Sequence, residues 1–135
     1  MAANKFFLEW QKRPWWMNLM FSFCLFMTVV YMPFDMFVKP VAQDQEVWFG
    51  IMLEGWAAKA TEPLHWAIYA AGCVGFWRMR RWMWPWASAY ALQVAVGMLV
   101  WNVMRDALLG GVISFAVFMI PTTALYRSRR YFTTD

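Results

Sequence analysis

The chain has 135 residues, 62% of them hydrophobic and 15% charged, against about 45–50% and about 25% in soluble domains. A small soluble protein has proportionally more surface to cover with polar groups, so this apolar excess needs an apolar solvent and excludes a water-soluble globule. The net charge of +4 sits in short clusters between apolar runs, a pattern of membrane topology; too little extramembrane chain remains to build a nucleic-acid groove or stacking platform.

The apolar runs predict an all-α integral membrane protein: a four-transmembrane-helix bundle forming one domain over residues 1–135, with an extra amphipathic interfacial helix between spans 1 and 2. A crossing takes about 20 residues. The first span, about 15–35, reads "WWMNLMFSFCLFMTVVYMPF" and follows Lys5, Lys12 and Arg13. Its length separates it from the 7–15-residue core of a cleaved signal peptide. Met17, Met20, Met27, Met32 and Met36 fall on different faces and depths, as adaptable packing would and a copper(I) relay would not. Cys24 and Cys73 match no disulfide or zinc spacing and read as small buried hydrophobes.

The outer segment, about 44–59, reads "DQEVWFGIMLEGWAAK". Wound as a helix, it gathers Trp48, Ile51, Met52, Gly55 and Trp56 near one face and Glu46, Gly50 and Glu54 on another. The predicted element lies flat on the membrane, tryptophans down, or caps the bundle as a packed loop.

Span 2, about 62–79, is the shortest in apolar content and needs Thr61 as its cap and Pro63 at its first turn. Its opening, Glu62-Pro63-Leu64-His65, sets two metal-capable groups on one face. Di-metal bundles use Glu-x-x-His twice with two further glutamates, and this chain has a single histidine. No metal site is predicted. His65 reads either as a hydrogen-bonded outer-rim residue or as a group working on a ligand, with Glu62, Tyr69 and the mid-span Gln93 as its neighbours in such a polar site.

The stretch "FWRMRRWMWPW", residues 76–86, joins spans 2 and 3. Arg78, Arg80 and Arg81 should hold this turn in the cytoplasm, while Trp82, Trp84 and Trp86 seat at headgroup level and Pro85 fits the first turn of span 3. Span 3, about 82–104, and span 4, about 106–126, carry polar but almost no charged residues, and Pro121 should bend span 4. Ala67, Ala71 and Gly75 on span 2, with Ala87, Ala91 and Ala95 on span 3, form small-residue stripes expected to face each other in a tight hairpin. Beyond span 4, Arg127, Arg129 and Arg130 add lipid-headgroup anchors.

Sorting the charges by side of the membrane gives nine of the twelve basic residues to one face. The positive-inside rule then makes both termini cytoplasmic, in what the charge bias suggests is a bacterial inner membrane. The spans lack the buried acid or base that ion-coupled transporters keep at membrane depth, and no catalytic set is complete. The expected function is therefore a small non-catalytic accessory, assembly or scaffolding subunit. Its expected partners are membrane lipids and other membrane subunits or further copies of itself, with bound lipid but no cofactor and no nucleic acid. The alternative is a small carrier or enzyme for a lipid- or quinone-like substrate, working through the Glu62/His65 region with residues 48–56 as a lid.

Overall fold

A computed structural model describes residues 2–135, with side chains from residue 6 onward; Lys5 therefore lies outside the described side chains. The chain is 76% helical. Helix α1, Ala2–Gln11, precedes α2, Trp15–Phe37. A two-stranded hairpin follows, β1 Gln45–Trp48 and β2 Ile51–Glu54, then α3 Trp56–Arg78, α4 Met83–Val103 and α5 Leu108–Arg127. Three of these helices, α2, α4 and α5, are long and apolar enough to cross a membrane. The fourth long helix, α3, has 23 residues but carries Lys59 and Glu62 in its first two turns.

The helices form two closely packed pairs, α2 with α3 and α4 with α5. The first pair is fastened at the middle of α2 by a backbone irregularity. Pro33 has no N–H to offer, and residues Met27–Tyr31 wind as a π turn in which the Met32 N–H bonds the Met27 carbonyl. That leaves the Thr28 carbonyl without a helical donor, and the Trp66 indole of α3 supplies one at 2.8 Å. In an apolar solvent such a substitute is obligatory, because no water can take its place. One turn further in, Gly72 lies so close to α2 that a Cβ there would stand 2.8 Å from the Cys24 sulfur.

The second pair closes over a short connection, where buried Gly111 fits against Leu99 and Asn102. The four-residue tightness of this link explains the contact: a Cβ on Gly111 would come within 3.1 Å of the Asn102 Cβ. At the opposite end, Trp84 has extended backbone angles, so regular helix begins at Pro85, as a proline first turn favours.

The sequence-predicted hairpin of spans 2 and 3 is not the packing observed. Ala67 and Ala71 are exposed, and of their stripe only Gly75 is buried, against the Met83 side chain. Ala87 and Ala91 pack on the core around Met17, Phe21 and Phe76, and Ala95 is fully buried. The reason lies in the helix phase: Gly72, one residue round from Ala71, gives the closer backbone approach and turns α3 toward α2.

The interfacial helix over residues 44–59 is likewise replaced. Residues 45–54 form the antiparallel hairpin, with Gln45 opposite Glu54 and Trp48 opposite Ile51. Phe49 and Gly50 both have positive φ, +52° and +86°, the two-residue turn whose twist matches paired strands. Gly50 is required there twice over, since a Cβ would also run into Val100 at 2.5 Å. Its amide approaches Gly97, so the hairpin tip docks on α4 and bridges the two helix pairs. Helix α3 begins at Trp56, after Gly55 at φ +57°, and not at Pro63, which lies within it.

Candidate functional site

At the end of the molecule bearing the hairpin, five charged side chains from residues 35–62 converge. Asp35 comes from the last turns of α2, Lys39 and Asp44 from the loop, and Lys59 and Glu62 from the start of α3, three residues apart on one face. Asp35, Asp44 and Glu62 are all essentially inaccessible, at 1%, 1% and 0% exposure. Lys39 lies 2.9 Å from both Asp35 and Asp44, and Lys59 spans Asp44 at 3.2 Å and Glu62 at 3.1 Å. Lys59 also donates to the carbonyls of Asp35 and Lys39, at and just beyond the last turn of α2.

Burial alone would raise the Asp44 carboxyl, but its contacts with Glu62, Lys39 and Lys59 outweigh it and hold Asp44 at about 2. The same contacts overcome burial at Lys39 and push its ammonium above the ordinary lysine range. Three acidic side chains pair with two ammonium groups here, and that mutual pairing makes burial tolerable. Oxygens of Asp35, Asp44 and Glu62 also lie within 4.8 Å of one another, a separation that suits a hard cation. The lysines already stand among those oxygens, however, and a divalent ion would share its coordination sphere with two positive charges. The donor set as built suits ammonium, not metal.

A second group lies one turn along α3. His65 Nδ1 meets Glu46 at 2.9 Å, and its ring stacks on Trp48 with centroids 4.1 Å apart and planes 13° from parallel. Glu46 and Trp48 reach the same ring because alternate strand residues share a face; on a helix they would have diverged. The series continues inward through Tyr69, 6.1 Å from His65, to Tyr90 on α4. Of the sequence-predicted polar site, Glu62 joins the ionic cluster, His65 and Tyr69 join this aromatic series, and Gln93 enters no hydrogen bond among the described residues. Sequence reasoning missed Asp35, Asp44, Lys39 and Lys59, which read as ordinary loop charges.

The opposite end is organised by arginine. Arg13, only 5% exposed, donates to the Phe76 and Trp77 carbonyls at 2.9 and 2.8 Å and to Asn18 at 2.8 Å. It thereby closes the C-terminus of α3 with a positive charge and stacks over Trp77 at 4.9 Å. Burial lowers the Arg13 pKa, and Glu9 opposes the shift. The residues after α5 fold back: Thr134 bonds Met79 and Arg81, and Phe132 is buried beside Phe76. Arg78 and Arg81 are exposed, Arg80 is half-buried, and Arg127, Arg129 and Arg130 are exposed. Trp82 and Trp86 are exposed as headgroup anchors would be, whereas the Trp84 indole is tied to the Tyr126 carbonyl at 2.7 Å.

No family model, curated protein or solved structure matches the chain.

Proposed function

We propose that this protein is a small non-catalytic membrane subunit, an assembly or scaffolding component that works by contact with lipid and with other membrane proteins or further copies of itself. One observation carries the reading: the groups best suited to chemistry are engaged within the fold. Glu62 is sealed beside Lys59, and His65 is held between Glu46 and Trp48. A carrier or enzyme acting through these residues would have to break a buried ionic cluster to reach its substrate, which makes that reading the weaker one.

In the same proposal α3 is a fourth crossing. Its charged side chains Lys59 and Glu62 lie at the outer end, paired with loop residues, and residues 63–77 beyond them contain no Asp, Glu, Lys or Arg. The arginine-bearing end is cytoplasmic, as the charge bias favours, and a bacterial inner membrane is the setting that fits it. The test is purification in mild detergent, with co-purifying proteins identified by mass spectrometry and mass measured by light scattering. A stoichiometric protein partner or a defined oligomer is expected. A bare monomer with no partner would overturn the subunit reading, and loss of a hydrophobic-substrate activity on His65→Ala would favour the carrier or enzyme.

A further inference from the structure

Arg81, Trp84, Arg127, Arg129, Arg130 and Phe132 line one cavity of about 760 Å³ at the inner ends of α4 and α5. Its residues come from sequence regions far apart. Arg81 belongs to the turn before α4, and the other three arginines follow or end α5. The tail makes the cavity: Ser128 turns the chain by bonding Ala124, the 3₁₀ turn Arg129–Tyr131 follows, and buried Phe132 anchors it. Arg129 is propped over the Trp84 ring at 5.0 Å, and Trp84 is itself fixed to Tyr126.

Four guanidinium groups thus face one space, and carboxylate compensation is thin. Arg81 pairs with Asp135 at 3.2 Å through exposed side chains, whereas Arg127, Arg129 and Arg130 enter no ion pair among the described residues. Compare the hairpin end, where every lysine has two carboxylates. The space is left open to an anion from outside the protein. Guanidinium groups bind phosphate oxygens in a bidentate manner, and an aromatic wall of Trp84 and Phe132 suits an anion that carries apolar substituents. On α5, Ile113, Val117 and Ile120 are 55%, 54% and 68% exposed and share one helical face with Arg127, offering an apolar track leading to the cavity mouth.

We infer that this cavity is a binding site for an anionic phospholipid, held by its phosphate between Arg81 and the arginines of the tail, with its chains along α5. The inference rests on the inner ends facing a headgroup layer, and deepens the lipid contact of the proposed function.

Native mass spectrometry of the full chain in mild detergent tests it, with phosphatidylglycerol against phosphatidylcholine of the same chains. Wild type should hold one phosphatidylglycerol at least tenfold more tightly. The triple variant Arg127→Gln, Arg129→Gln, Arg130→Gln should weaken it about a hundredfold, since each basic residue near a lipid surface contributes about fivefold, equivalent to about 1 kcal/mol. Arg105→Gln, at the opposite ends of α4 and α5, should change it little. Should the triple variant fold poorly, Arg127→Gln alone decides, with about a fivefold loss at unchanged melting temperature. Equal losses in the triple variant and in Arg105→Gln, no preference for the anionic lipid, or displacement of the lipid by inorganic phosphate would each overturn the site. A bound lipid without any protein partner would fail only the subunit reading, and a partner without lipid preference would fail only this one.

Discussion

The two ends of the molecule handle charge in opposite ways. At the hairpin end, two lysines and three acidic side chains are gathered together and pair with one another. At the other, one arginine is buried against backbone carbonyls and aromatic rings, and the rest line the surface with little carboxylate to meet them. The difference shows that formal charge says little about role in an apolar chain. What decides is whether the partner lies in the protein, in which case the charge fastens the fold, or outside it, in which case the charge is free to recognise.

That contrast can be broken most severely at Lys59. Lys59→Met leaves Asp44 and Glu62 buried with one cation fewer, and a loss of about 3–5 kcal/mol is expected, read as a collapse of the melting temperature in detergent. Adding Glu62→Gln should restore part of it; a double variant no better than the single would show that the cluster is not the unit described. Arg13→Met strips charged hydrogen bonds from the Phe76 and Trp77 carbonyls and should cost about 2–3 kcal/mol, with amide exchange rising first at the end of α3.

Acid should separate the ends next. Asp44 is held below its ordinary value in the fold, so its contribution is present above about pH 4 and fades as pH falls toward 2. Melting measured from pH 6 to pH 2 should lose on the order of 2 kcal/mol on this account, and Asp44→Asn should flatten that limb. A wild-type curve unchanged down to pH 2 would remove the cluster's electrostatic role. The mildest test concerns helix pairing. Gly72→Leu should cost about 1–3 kcal/mol by forcing α3 off Cys24, whereas Ala71→Leu, on the exposed side, should stay within about 0.5 kcal/mol. The reverse order would restore the α3–α4 hairpin that the stripes suggested.

Periodicity and length made α2, α4 and α5 legible, and proline chemistry put Pro85 in the first turn of α4, because these signals are local. The hairpin was missed although its signal was present: "EVWFGIML" alternates about a Phe-Gly turn, but its hydrophobic residues also fit a helix, and only Gly50's contact with α4 resolves the two. The buried cluster was hidden for a related reason. Acids and lysines in a loop read as solvated until the fold brings Asp35 to Lys39 and Lys59 to Asp44. Arg13 gives no local hint at all, as its carbonyl partners lie 63 and 64 residues further on. Glu62 and His65 were picked out for spacing that resembles metal chemistry, yet the spacing serves two different intramolecular partners.

The ionic cluster also differs from the basic cavity in when it can exist. All five of its charges lie between residues 35 and 62, so a growing chain can close it before α4 and α5 have been synthesised. The cavity needs Arg81 together with residues 127–132, and forms only as the tail turns back on the finished bundle. The outer end is thus an early, self-contained fastening of the first helix pair. The inner cavity appears only when both pairs are present, and so reports that the two pairs have come together.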